Sequence, residues 1–139
     1  MQVGTYSVII NIDLNMIANI WEKLPDLECN RLSPASVSVD TNVVYCLGGF
    51  DAYFDHKTVE RLDIRTNQWI PIKPMNYRRS MLGAIYYQNF IYACGGMNDE
   101  DLTLSTVERY DIRGDRWEPL ENMTTGRYWF GIALSLYRK

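Results

Sequence analysis

The sequence predicts an all-β fold: a partial β-propeller of four-stranded antiparallel blades, two of them complete, with partial ones at each end. Three observations predict it. Trp21, Trp69 and Trp117 stand 48 residues apart, and Arg31, Arg79 and Arg127 repeat at the same interval. A period of that length shared by two unlike residue types marks one structural unit used repeatedly. Short apolar runs are separated by polar turns, which is the pattern of strands. Aromatic residues make up 13% of the chain, including ten Tyr and four Trp, which suits flat rings packed on pleated sheet. A lone twisted meander leaves apolar side chains on both faces. Radial stacking of such sheets buries both and leaves only short edges.

The elements follow in chain order. Residues 1–30 align with the later units only through Trp21 and Arg31, and Tyr6–Asp13 is expected to be the third strand of an incomplete blade. The blade over 31–78 is expected to use Ser36–Val39, Val43–Leu47, Thr58–Ile64 and Gln68–Ile72, with Gly48 and Gly49 ending the second strand. The blade over 79–126 repeats it: Leu82–Tyr87, a Gln88–Asn89 turn, Phe90–Cys94, Gly95 and Gly96, Thr106–Ile112, and a fourth strand starting at Trp117. Two polar residues between two apolar runs are a hairpin signal. Residues 58–83 and 106–131 agree at twelve of twenty-six positions, which supports a common fold for the two units. Residues 127–139 are expected to open a further blade, with Gly131–Tyr137 as its first strand. Two whole blades fall short of the usual four to eight, so this chain is expected not to close a ring by itself.

Composition narrows the function classes. A formal charge of −3 gives no global attraction to nucleic acid or anionic lipid. No segment reaches the run of about 18 apolar residues that spans a bilayer, and the first eleven residues lack signal-peptide character. Cys29, Cys46 and Cys94 are an odd set with no CxxC pair, which argues against a disulfide framework and a zinc site. Cys46 and Cys94 fall in apolar strand patterns and read as buried reduced thiols. These features point to the cytoplasm, with the cytoskeleton or nucleus as further compartments.

The order apolar strand, double glycine, Val-Glu-Arg-x-Asp, Trp, Met, then Arg-x-x-x-Gly resembles the Kelch repeat of Kelch-like proteins. It runs from Gly48–Gly49 through Trp69 to Met75, and again from Gly95–Gly96 through Trp117 to Met123. Arg79–Gly83 and Arg127–Gly131 match the turn between blades, while Arg31 lacks its glycine and has Ala35 there. Gly48, Gly49, Gly95, Gly96, Trp69 and Trp117 are the structural repeat residues.

The resemblance implies a partner-binding face formed by these turns and by the loops after each double glycine. Arg31, Arg79 and Arg127 recur where the chain enters each innermost strand. A ring of forked guanidinium groups there could recognise carboxylates; the alternative is that each Arg caps a turn or pairs with an acid of a neighbouring blade. Tyr53, Phe54, Tyr77, Asn98, Asp99 and Tyr128 complete the candidate partner-binding set, and the loop from Phe50 to Asp55 is the best source of exposed aromatic contact. Trp129 is expected to be buried. The repeated Glu60, Arg61, Asp63 and Glu108, Arg109, Asp111 read as scaffold, because a site occurs once and a scaffold residue recurs in every blade.

No enzyme is expected. A copper oxidase family with similar blades needs two His ligands, and this chain has only His56, read as a solvated loop residue. No Ser or Cys has a histidine base in the repeat register, and the double glycines lead into polar loops where a phosphate-binding loop needs a helix. No cofactor is implied.

The resemblance implies a protein-interaction module, similar to the substrate-recognition propeller of adaptors for cullin-type ubiquitin ligases. Its partner would be a protein substrate or peptide on the loop face, with the cullin recruited by helical regions such adaptors carry ahead of the propeller. An actin-binding Kelch protein and a non-functional truncated fragment are the alternatives.

Overall fold

The computed structural model describes residues 24–135. Tyr6–Asp13 and Trp21 lie outside the described residues. Eight strands form two four-stranded sheets. The first holds β1 (Ala35–Ser38), β2 (Val43–Leu47), β3 (Val59–Asp63) and β4 (Gln68–Ile72); the second holds β5 (Gly83–Tyr87), β6 (Phe90–Cys94), β7 (Val107–Asp111) and β8 (Arg116–Pro119). Each sheet is an antiparallel meander in chain order. Every strand expected from the sequence within these sheets is present, with ends that agree to within a residue.

Local chemistry explains the turns. Gln88 and Asn89 both adopt positive φ, 47° and 67°, as a two-residue turn matched to strand twist requires. Asn67 and Asp115 take the corresponding left-handed position between the third and fourth strands of each sheet, at φ 54° and 47°. Short polar side chains tolerate that region best after glycine. Pro71 and Pro119 sit in β4 and β8, the edge strands, where a missing N–H costs no ladder bond.

The core lies between the sheets. Val43, Tyr45, Leu47, Val59 and Met75 of the first unit pack against Leu82, Ile91, Ala93 and Tyr110 of the second. Fully burying each larger aliphatic side chain contributes about 1.5–3 kcal/mol. On the first sheet's other face, Val44, Cys46, Leu62 and Trp69 are covered by Leu24 and Leu27. Burial pushes the Cys46 thiol up to about 12, so it packs as an inert apolar group.

The two repeat tryptophans make the same contact. Trp69 Nε1 donates to Pro25 O and Trp117 Nε1 to Lys73 O, each at 2.9 Å and each 44 residues back along the chain. Each indole therefore ties its blade to the chain segment that precedes it. Radial stacking of blades would enclose both rings, but Trp69 is buried while Trp117 is half-buried beside Tyr110.

Three further expectations need correction. Residues 131–135 form no strand, because nothing among the described residues pairs with them. Trp129 is 81% exposed rather than buried. Its counterpart one period earlier is Met81, and both sit at positive φ, 54° and 51°, which turns their side chains away from the core. Cys94 is only partly buried. It lies with Phe90, Tyr92, Val107 and Met123 on the face of the second sheet that points away from the first, whereas the equivalent residues of the first sheet are covered by the second.

Candidate functional site

The connections β2–β3 and β4–β5 emerge at the same end of the sheets and build the candidate loop face. The arginines enter it from below. Arg79 is fully buried, and its guanidinium turns inward: Nε and Nη2 donate to Glu108 Oε1 at 3.2 and 3.0 Å, and Nη1 donates to Gly95 O at 2.7 Å and Thr106 O at 3.0 Å. Arg31, 3% exposed, repeats the arrangement on Glu60 Oε1, Gly48 O and Thr58 O, and adds a bond to Thr58 Oγ1.

The two carboxylates complete the junction. Glu108 Oε2 accepts the Asn76 backbone N–H at 2.8 Å, and Glu60 Oε2 accepts that of Glu28 at 3.0 Å. Each Glu thus clamps both the turn entering its blade and the arginine that follows it. Charged donors and acceptors so arranged compensate one another's desolvation.

Arg31 and Arg79 are therefore removed from the partner-facing set. Their forks are engaged by a carboxylate and carbonyls of the same blade, not by an acid of a neighbouring one, and no ring of free guanidinium groups faces a partner from these two positions. The signal was present in the sequence: Glu60 and Glu108 repeat with the arginines, and a repeating acid and base imply a repeating pair. Arg127 differs. Its backbone repeats that of Arg79, donating to Leu104 O and accepting from Gly96 N, just as Arg79 donates to His56 O and accepts from Gly49 N. Its side chain is exposed, and no carboxylate among the described residues pairs with it.

The double glycine belongs to the same junction. Gly48 and Gly95 have φ of 61° and 58°, and a Cβ at either would overlap the carbonyl oxygen of Arg79 or Arg127. Glycine is required there by both conformation and space.

Above this base the loop side chains divide by role. Asp51 Oδ1 accepts the N–H groups of Tyr53 and Phe54, and Asn98 Oδ1 those of Glu100 and Asp101. Asn98 Nδ2 also donates to Arg78 O at 3.1 Å. Asn98 is 9% exposed, so it organises its loop and does not offer its amide to a partner. Asp99 is exposed beside it. Tyr53 is 86% exposed and Phe54 45%, while Tyr77 and Tyr128 keep exposed rings on the same face.

His56 is buried, not solvated. Its Nε2 lies 3.1 Å from Asp51 Oδ2, and its ring meets the Phe54 edge at 5.4 Å between centroids. Burial, followed by the nearby Arg31 charge, lowers its pKa below 6.5 despite the pull of Asp51, which keeps it neutral near pH 7.

Between the two loops lies an open cleft of about 270 Å³, walled by Tyr53, Phe54, Met81, Met97, Asp55 and Asp99 among others. The sequence reading missed Arg78, Ser80, Met81 and Met97 here. The bridge Ser80↔Met97 brings the inter-blade turn under the second loop, a pairing that spacing alone does not announce. Arg78 donates to Asp55 O at 3.0 Å and lies 5.2 Å from the Phe54 ring centre.

Comparison with known families agrees with this architecture. The Kelch motif matches residues 31–76 and 78–124, one match per sheet. The chain belongs to the Kelch-repeat family. It is similar to human Kelch-like protein 5, 35% identical over 63 residues (45% of this chain, 8% of that protein). It is also 35% identical over 78 residues to human Kelch-like protein 4, covering 55% of this chain and 11% of that protein. The chain therefore spans about a tenth of the length of these curated Kelch relatives. Kelch repeats build protein-interaction propellers and are generally not enzymes, and the two sheets are blades of that kind.

Proposed function

We propose that the Kelch blades bind a protein partner through the loop face and serve as the substrate-recognition part of an adaptor for a cullin-type ubiquitin ligase. The observation that supports loop-face binding is the pair Tyr53 and Phe54. Both rings are exposed, yet Asp51 holds their backbone from beneath, so little ordering entropy is lost when a partner covers them. Exposed aromatics on a rigid support are the usual anchors of interaction surfaces. Tyr77, Tyr128 and Asp99 extend the contact. The adaptor role comes from kinship with Kelch-like proteins, and a cytoplasmic location belongs to the same reading. Cullin recruitment would belong to the helical regions of such adaptors, so the face described here supplies only substrate choice.

Photo-crosslinking tests it. A p-benzoylphenylalanine replacing Tyr53 should capture a protein partner in cells, while one replacing Gln88, at the opposite end of the sheets, should not. Equal capture from both positions would refute a binding face at the loop end. If the captured protein is actin and purified filaments pellet the chain, the cytoskeletal reading replaces the adaptor one.

A further inference from the structure

The structure inverts the charge expected of the partner. The sequence suggested guanidinium groups reaching for carboxylates, but Arg31 and Arg79 are spent inside the blades. What lines the cleft between the loops is aromatic, thioether and acidic. Tyr53 and Phe54 supply ring faces, Met81 and Met97 supply soft apolar walls, and Asp55 and Asp99 supply the charge. We propose that this cleft takes a basic side chain, arginine or lysine, from an extended segment of the partner protein. The inference rests on the loop-face reading above and adds the chemistry of the ligand.

Several features carry it. Asp99 of the second loop is exposed at the cleft, Asp55 of the first lies buried beside it with Ser80 and Asp99 against its carboxyl, and no basic side chain lines the cleft. Arg78, which contacts two of the lining residues, is already committed to Asp55 O and to the ring of Phe54. An arriving guanidinium or ammonium would pair with the exposed Asp99 carboxylate and replace solvent as its counter-ion. The ring faces beside them favour the same charge through their quadrupoles, while the thioethers accept the aliphatic stem. Size points the same way. Among the described residues no three acidic, His or Cys side chains converge as metal ligands, and the cleft is far larger than a bare ion needs. Burial first, and the Asp99 charge after it, raise the Asp55 carboxyl above its usual range against a hydrogen bond from Ser80, which leaves Asp99 as the acid a ligand would meet.

The test uses the whole 139-residue chain, isotopically labelled, titrated with N-acetyl-arginine amide and, separately, with its neutral isostere N-acetyl-citrulline amide. The expected result is saturable shifts at the amides of Tyr53, Phe54 and Asp99, with the arginine probe bound about three- to fivefold tighter than citrulline. Asp99→Asn, an exposed position that should leave the fold intact, should abolish that preference; Tyr53→Ala should weaken both probes. Equal affinity for the two probes, shifts confined to other surfaces, or an undiminished preference in Asp99→Asn would each overturn the proposal. Capture of a partner at position 53 together with no arginine preference would sink only the charge assignment and leave the loop-face function standing.

Discussion

Arg79 and Glu108 meet with no exposure left to either side chain, and a single carboxylate oxygen receives both Nε and Nη2 of the guanidinium. The pair spans the seam between blades, because the backbone of Arg79 is also bonded to Gly49 and His56 of the preceding unit. Removing either partner strands a buried charge. Arg79→Ala and Glu108→Ala should each destabilise the chain by about 3–5 kcal/mol in urea unfolding. Arg79→Lys should recover little of the loss, since an ammonium cannot serve Glu108, Gly95 O and Thr106 O together.

The double glycines are the steric half of that seam. Gly48→Ala should cost more than about 2 kcal/mol, combining an unfavourable φ with overlap against Arg79 O. Gly131→Ala, where an added Cβ meets nothing within 4 Å, should be near neutral. Parallel thermal melts of the two variants separate the cases.

The indoles should rank by burial. Trp69→Ala removes a buried ring and its bond to Pro25 O and should cost about 3–5 kcal/mol, while half-buried Trp117 should cost about 2–3 kcal/mol. Denaturant midpoints of the two variants give the order.

His56 makes stability depend on pH. Its folded pKa lies below the 6.5 of the free side chain, so the unfolded chain binds its proton first. Stability from this group is complete above pH 6.5 and is lost as the pH falls through the folded value. The melting temperature should therefore drop from pH 7.5 to pH 5.5, and His56→Gln should show a smaller drop over that interval.

Much of this was legible because repetition exposes architecture. The 48-residue interval, the alternation in Val59–Asp63 and Val107–Asp111 and the turn pair Gln88–Asn89 are local signals, and each gave its element within a residue. The exposed rings of Tyr53 and Phe54 were legible too, as large aromatics in a loop of turn residues. Burial of Arg31 and Arg79 was harder to see. A charged side chain enters a core only when its partner waits there, and Glu60 and Glu108 lie 29 residues further along the chain. His56 and Asn98 misled for a related reason: polar loop residues can be enclosed when the loop folds over its own backbone N–H groups.

The central claim is that the repeated arginines hold the blades together and leave recognition to the loops above them. The measurement that tests it most directly is a double-mutant cycle of Arg79→Ala and Glu108→Ala, followed by urea unfolding of all four proteins. The account expects a coupling of about 1.5–3 kcal/mol, so that the double variant loses less than the sum of the two single losses. Additive losses with no coupling would contradict it, and would return Arg79 to the loop face as a free cation.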